Sequence, residues 1–262
     1  MDYSLIVDEV KRVANITETA FLKKWQAIPI IDNREKLLLI PENFCYPFYA
    51  NTMNITEDKR IFLREVTFLM FVKAYEILGG LGLELRIYDG WRPVSLQEQL
   101  YWLYMKQFTV CKFSNIAPLF SQAILATEIK NVFSLLVKKT QEILHKLNRR
   151  YVSWPSNNRD FPSPHATGGA VDVWILQNGK SVDLGVNFDS MEESAGAFYH
   201  LRNDRIKFKN DDRVCYYRNV LLYAMVNAGF SCYPPEIWHF NYGNQMHALV
   251  TKKVANYSYI EP

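Results

Sequence analysis

Four polar side chains in two parts of the sequence have the types and spacing of a catalytic metal site. His165 and Asp172 flank a stretch with two consecutive glycines, and Glu236 and His239 form a Glu-x-x-His string much later in the chain. Two neutral imidazoles and one carboxylate suit a catalytic Zn²⁺, whose fourth position stays open for water. We therefore expect His165, Asp172 and His239 to hold one zinc ion per chain, with Glu236 as a general base.

Each of these residues also has a purely structural interpretation. A histidine beside a tryptophan, as in Trp238-His239, is more often packed and hydrogen-bonded than bound to a metal. However, all four side chains lie within apolar and aromatic segments, where burying a polar group without a partner costs several kcal/mol. A shared cation removes that cost, so the combination favours the metal site.

The segments that must position these side chains predict a small antiparallel sheet. Residues 171–176 are β-branched and aromatic, and the Asn-Gly pair that follows is typical of a hairpin turn. His165 is expected on the loop before this strand, and the two glycines permit a tight turn between it and Asp172. Glu236 and His239 are three residues apart, so a regular strand would direct them to opposite faces. The metal site therefore requires a bend or bulge there.

Helical patterns surround this sheet. Apolar residues recur at helical spacing in residues 1–27, 57–78, 106–150 and 211–228. Gly79-Gly80 and Gly229 are expected to end two of these helices. The pattern predicts an α+β fold whose small central antiparallel sheet carries the zinc site and is flanked by helices. We expect a single domain over residues 1–262, with 106–150 as a helical insertion.

Length and composition favour a globular enzyme over a tail or a filament, and no apolar stretch reaches the roughly 18 residues that a membrane helix needs. The 262 residues are 49% hydrophobic, which permits a large core, and the net charge of +3 does not single out a nucleic-acid partner. Asp8 and Glu9 interrupt the first apolar run, which predicts no secretory signal and a cytoplasmic protein. Four widely spaced cysteines offer no Cys-x-x-Cys zinc site. The sequence leaves the oligomeric state open.

Four motifs add a family resemblance. In chain order they are Tyr88-Asp89-Gly90-Trp91-Arg92-Pro93, Ser163-x-His165-x-x-Gly168-x-Ala170-x-Asp172, Phe188-Asp189-x-Met191-x-Glu193 and Glu236-x-Trp238-His239. In these motifs and their order the sequence resembles the zinc D-alanyl-D-alanine dipeptidases of the VanX type, within the D-Ala-D-Ala metallopeptidases.

The resemblance implies the same three zinc ligands and the same catalytic base, and it adds three further roles. Arg92 would support the negative charge that develops during the reaction. Ser163 would lie at the carboxylate end of the substrate, and Asp189 near its free amino group. The implied substrate is D-Ala-D-Ala or a similar small dipeptide, with neither nucleic acid nor membrane as a partner.

The chain departs from the family pattern in two places. The family has a tyrosine shortly before an Asn-Phe pair in the N-terminal third, whereas residues 37–42 before Asn43-Phe44 read Leu-Leu-Leu-Ile-Pro-Glu. Between Arg92 and His165 lie 72 residues, more than compact members carry. We therefore expect the insertion at 106–150 to cover the pocket or to meet a partner.

Two other functions are compatible with the same residues. One is a D,D-carboxypeptidase or another hydrolase of peptidoglycan peptides, although such enzymes usually carry a signal or a wall-binding module. The other is a non-catalytic binding protein that keeps a zinc fold. The presence of both Glu236 and Arg92 argues against the second of these.

Overall fold

The computed structural model describes residues 2–149 and 151–262, which contain α-helices and short β-strands. The α-helices are α1 Tyr3–Ala20, α2 Phe48–Asn51, α3 Glu65–Gly79, α4 Val94–Lys112, α5 Ala117–Phe120, α6 Ala126–Ser134, α7 Lys138–Asn148, α8 Asp211–Ala228 and α9 Gln245–Thr251. The strands are β1 Leu37–Leu39, β2 Phe62–Arg64, β3 Glu84–Asp89, β4 Ala170–Gln177, β5 Lys180–Ser181, β6 Ser231–Tyr233 and β7 Glu236–Asn241.

The chain divides into two compact units. The first contains Met1–Trp91 and Asn158–Pro262, with both sheets and helices α1–α3, α8 and α9. The second contains Arg92–Asn157 and helices α4–α7. This helical unit extends beyond the predicted insertion at both ends, because α4 already begins at Val94. That residues 1–262 form one domain with an insertion stays a prediction.

An antiparallel sheet is the centre of the first unit. Its strands follow the order β3-β4-β7-β6, and β5 pairs with β4. Every second residue of β4, namely Val171, Val173 and Ile175, is fully buried, as expected for a strand face that packs on a core. Helices α3 and α8 pack against each other and against the strands, and α1 packs on α8. The predicted α+β fold with a small central antiparallel sheet flanked by helices is confirmed.

The sequence prediction of a helix over residues 57–78 is wrong in its first part. Phe62–Arg64 forms β2, which pairs with β1 through Leu37↔Arg64, and α3 begins only at Glu65. Ile61 and Leu63 are both buried, with one residue between them, as in a strand. Two such residues are too few to distinguish a strand from a helix in the sequence. The helix does end at Gly79, as predicted.

Other predicted boundaries are confirmed by the backbone. Helix α8 ends at Ala228 because Gly229 follows with a left-handed φ of 114°. The turn between β4 and β5 places Asn178 and Gly179 at φ values of 52° and 71°, which is the conformation that an Asn-Gly hairpin turn needs. No helix within the described residues is long and apolar enough to span a membrane.

Candidate metal centre

Three side chains predicted as ligands are brought together at the centre of the sheet. His165 begins a short 3-10 helix, His165–Thr167, just before β4, and Asp172 in β4 lies directly opposite His239 in β7. Residues opposite each other on antiparallel strands project from the same face, so the aspartate and the second histidine meet. All three are at least 95% buried, and their ligand atoms lie within 4.8 Å of one another.

Hydrogen bonds at the far side of each imidazole fix which nitrogen faces the centre. His165 Nδ1 lies 2.7 Å from the Gly90 carbonyl oxygen, which can only accept, so this nitrogen carries the proton. His239 Nε2 lies 3.2 Å from Asn241 Oδ1, which also accepts a hydrogen bond from Asn244 Nδ2 at 2.7 Å. The lone pairs of His165 Nε2 and His239 Nδ1 therefore point into the cluster.

The distances between these donor atoms fit a tetrahedral cation. His165 Nε2 and His239 Nδ1 are 3.2 Å apart. Of the two Asp172 carboxylate oxygens, Oδ2 lies 3.4 Å from His165 Nε2 and Oδ1 lies 2.9 Å from His239 Nδ1. Ligands bound tetrahedrally at about 2.0–2.1 Å are separated by roughly 3.3 Å. Two lone pairs that face each other at this distance repel. A cation between them removes the repulsion because both lone pairs then bind to it. The residues present therefore fit a divalent metal ion.

The charge state of the cluster also suits a cation. Burial by itself raises the pKa of Asp172, but attraction to the protonated forms of His165 and His239, and hydrogen bonds from them, outweigh it, so the pKa lies below its usual value. A bound cation would take the place of those protons and leave the imidazoles neutral. Burial lowers the pKa of His239 and favours the neutral imidazole that a metal requires. The cluster thus presents an ionised carboxylate and a neutral imidazole in an environment from which water is excluded.

Glu236 reaches the same place through an irregularity between the last two strands. Tyr233 pairs with Glu236, whereas the preceding Cys232 pairs with Phe240, so residues 237–239 have no counterparts on β6. This is the bulge that the Glu-x-x-His spacing requires. It brings a Glu236 carboxylate oxygen to 3.7 Å from His239 Nδ1 while the side chain stays 12% exposed. A carboxylate beside the ligand set and open to solvent is placed for proton transfer.

The two consecutive glycines of the metal loop allow close approach of other segments. Gly168 has a φ of 70°, and a Cβ there would lie 2.4 Å from Leu37 Cδ2. A Cβ at Gly169 would lie 2.3 Å from the Tyr242 carbonyl oxygen and 2.7 Å from Tyr257 Cδ2. Gly168 is therefore required by the turn and by packing, and Gly169 is required by packing.

Gly169→Ala is expected to reduce the free energy of unfolding by about 1–3 kcal/mol, because backbone and a buried ring must move to admit the methyl group. Urea denaturation of the metal-free protein measures this. Gly79→Ala is the matched control, since a Cβ there meets nothing within 4 Å. Equal stability of the two variants would contradict the packing role of Gly169.

Ser163 and Asp189 differ in how their side chains are held. Ser163 is 2% exposed, and its Oγ has no hydrogen-bond partner within the described residues. Asp189 has a φ of 66°, and its Oδ2 accepts a 3.0 Å hydrogen bond from the Tyr49 hydroxyl. The preceding Phe188 packs among aromatic rings that include Trp238, with centroids 5.3 Å apart. The acidic group of Asp189 is thus fixed by a strained backbone, an anchored neighbour and a hydroxyl donor.

Arg92 is the first residue of the helical unit and is described within it. It is 5% exposed, and its Nη1 donates to Gln97 Oε1 at 2.7 Å. Gln97 Nε2 in turn donates to the Ser153 carbonyl oxygen at 2.8 Å. A buried guanidinium is thereby oriented by a neutral amide, which leaves its positive charge uncompensated by that partner.

Sequence reasoning gave no role to two residues behind the ligands. Asp89 Oδ2 lies 3.2 Å from His165 Nδ1, beside the Gly90 carbonyl. Asn241 supports His239 from two positions further along β7, and this spacing places it on the same face of the strand. That spacing of two was a usable signal for Asn241. The contact of Asp89 joins segments 76 residues apart and has no local signal.

Comparisons with known proteins match the part of the chain that carries the candidate metal centre. A family model described as D-ala-D-ala dipeptidase, Peptidase_M15, matches residues 134–259, the range that contains the three candidate ligands and Glu236. The resemblance to D-Ala-D-Ala dipeptidases predicted from the motifs is confirmed by this match. A curated D-alanyl-D-alanine dipeptidase from Synechocystis sp. (strain ATCC 27184 / PCC 6803 / Kazusa) is 27% identical over 172 residues, which are 63% of this chain.

The match spans 62% of the length of the Synechocystis dipeptidase, somewhat less than two thirds. Together with the family model, it supports a peptidase and hence a hydrolase. The D-Ala-D-Ala dipeptidase model also covers the segment that carries Asp189, whereas Arg92 lies before the matched range. The buried His-Asp-His cluster could hold a metal ion.

Proposed function

We propose that this chain is a zinc-dependent dipeptidase that hydrolyses D-Ala-D-Ala or a similar small dipeptide. The observation that carries the proposal is the buried cluster of His165, Asp172 and His239 with the Glu236 carboxylate beside it. A cluster of two imidazoles and one carboxylate leaves a position open for water, as catalytic zinc sites do. The peptidase family match supports the same reaction class.

His165, Asp172 and His239 would hold the ion, which when bound supplies a water of lowered pKa and a Lewis acid for the scissile carbonyl. Glu236 then accepts the proton of the attacking water and returns it to the nitrogen of the leaving amine. Its position suits this shuttle, because it lies next to the ligand set at 3.7 Å from His239 Nδ1 and still contacts solvent.

Arg92 would stabilise the negative charge that develops on the carbonyl oxygen. A guanidinium is always ionised, and a fixed donor in a water-excluded site stabilises such charge far better than one in water. Gln97 accepts a hydrogen bond from Arg92 Nη1 and, as a neutral amide, adds no negative charge beside the guanidinium. The catalytic contribution therefore depends on both the charge and the position of Arg92.

Recognition of a free dipeptide requires partners for two charged ends at a fixed separation. Asp189 would bind the ammonium group, and Tyr49 keeps the carboxylate in place by donating to its Oδ2. Ser163 Oγ, buried and without a partner in the described part of the chain, would donate to the substrate carboxylate. Tyr49 thus supplies a phenol near the amino-group site although the tyrosine expected before Asn43 is absent.

An assay with three substrates tests this proposal. Purified protein with Zn²⁺ is offered D-Ala-D-Ala, the same dipeptide with its amino group acetylated, and a pentapeptide ending in D-Ala-D-Ala. We expect alanine release from the free dipeptide alone, because acetylation removes the charge that Asp189 binds and a pentapeptide has no ammonium group at that distance.

The other outcomes of this assay identify the alternatives. Release of the terminal D-alanine from the pentapeptide would indicate a D,D-carboxypeptidase or a related peptidoglycan-peptide hydrolase. Zinc binding without turnover of any substrate would indicate a non-catalytic binding protein. A cytoplasmic location and a substrate derived from the cell wall stay predictions.

A further inference from the structure

We propose that Arg64 is a positioning residue for the metal site, which it serves by holding the loop between His165 and Asp172. This inference rests on the proposed metal site and names a residue outside the four motifs. Arg64 ends β2 and is fully buried. It lies more than a hundred residues before the loop in sequence, so only the folded chain brings the two together.

Arg64 binds the loop with both its backbone and its side chain. Its backbone N–H donates to the Gly168 carbonyl oxygen at 2.9 Å, and its Nε donates to the Thr167 carbonyl oxygen at 2.9 Å. A Cβ at Gly168 would lie 3.2 Å from Arg64 Cγ, so the loop backbone rests directly on the arginine stem. These contacts fix the two residues that end the 3-10 turn begun by His165.

The rest of the guanidinium ties this loop to two distant segments. Nη1 donates to the Glu35 carbonyl oxygen, and Nη2 donates to the Ser258 carbonyl oxygen at 3.1 Å. The guanidinium also lies over the Tyr257 ring, 5.0 Å from its centroid. Its ion pair with Asp32 is long, at 3.6 Å. Most of its close contacts are therefore hydrogen bonds to carbonyl oxygens. These contacts depend on the planar arrangement of the guanidinium N–H groups more than on its charge.

The consequence for the metal site follows from the geometry of the ligands. Asp172 and His239 are fixed relative to each other by direct strand pairing. His165 lies outside the strands, and the path of its backbone depends on the loop that Arg64 holds. Without this support His165 Nε2 loses its fixed distance from the other two donors, and a metal site with one loose ligand binds its ion more weakly.

Arg218 offers a matched control within the same unit. It is also fully buried, and its three guanidinium nitrogens also donate to backbone carbonyl oxygens. These carbonyls belong to Leu184, Gly196 and Ser194, which lie outside the metal loop. Loss of Arg218 therefore removes a comparable buried donor set without touching the segment that carries His165.

The test compares zinc affinity in Arg64→Met, Arg64→Lys and Arg218→Met. Zinc dissociation constants are measured by competition with a chromogenic chelator, and circular dichroism and thermal melting show whether each variant is folded. We expect Arg64→Met to raise the zinc dissociation constant by about 10–100-fold, as loss of support behind a ligand does. Arg218→Met is expected to melt at a lower temperature with zinc affinity unchanged.

Arg64→Lys keeps the charge but cannot donate to three carbonyls in the arginine geometry, so it should weaken zinc binding by about tenfold while preserving the fold. If Arg64→Met does not fold, this variant decides the question. Zinc affinity equal to wild type in Arg64→Lys, or an equal loss in Arg218→Met, would overturn the positioning role. Absence of zinc binding by the wild-type protein would instead contradict the proposed function.

Discussion

Glu236→Gln is expected to lower kcat by about 10²–10⁴-fold, the usual contribution of a general acid–base group. The amide has nearly the same shape as the carboxylate but cannot accept a proton from water or return one to the leaving amine. Zinc affinity should change little, because the candidate ligand atoms belong to His165, Asp172 and His239. Steady-state kinetics with D-Ala-D-Ala and a chelator titration of bound zinc measure the two quantities separately.

Glu76→Gln is the control for this substitution. Glu76 is exposed on α3, so the same chemical change there should leave both kcat and zinc affinity at wild-type values. Turnover by Glu236→Gln within a few-fold of wild type would refute its role as the base. Loss of zinc together with loss of turnover would show that Glu236 supports the metal rather than the proton transfer.

The residues of the candidate metal site, and the turn and strand that carry them, could be predicted from the sequence because they depend on local features. Two glycines between His165 and Asp172 predict a turn, and the β-branched run after them predicts a strand. The Glu-x-x-His spacing even required a bulge, which the pairing of Tyr233 with Glu236 shows. These inferences need only the neighbours of each residue, so they hold without knowledge of the tertiary structure.

The contacts that orient the cluster could not be obtained in this way. The Tyr49 hydroxyl meets Asp189 across 140 residues, and Arg64 meets Thr167 across 103. Neither pair shows any pattern in the sequence, because its geometry depends on how strands and helices pack. The error at residues 57–78 has a related cause: β2 exists because β1 pairs with it, and pairing is absent from a local window.

Arg92→Ala is expected to lower kcat by about 10²–10³-fold, which corresponds to the roughly 2.7–4 kcal/mol that one oxyanion donor typically contributes. The zinc dissociation constant should remain at the wild-type value, since Arg92 is not among the candidate ligands. Arg12→Ala, which removes an exposed guanidinium on α1, serves as the control. Unchanged turnover in Arg92→Ala would leave the arginine as a structural residue near a turn.

Variants of Gln97, which accepts a hydrogen bond from Arg92, test the charge and the position of the arginine separately. Gln97→Ala removes one acceptor of the guanidinium, so Arg92 is held less firmly while it keeps its charge. Gln97→Glu keeps an acceptor at the same distance but adds a carboxylate, whose negative charge offsets that of Arg92. If Arg92 stabilises developing negative charge, both variants should lower kcat. In Gln97→Glu the loss is expected even though the glutamate holds the arginine more firmly. Recovery of wild-type turnover in Gln97→Glu would mean that orientation alone matters, because an added carboxylate beside the guanidinium should weaken its stabilisation of an oxyanion.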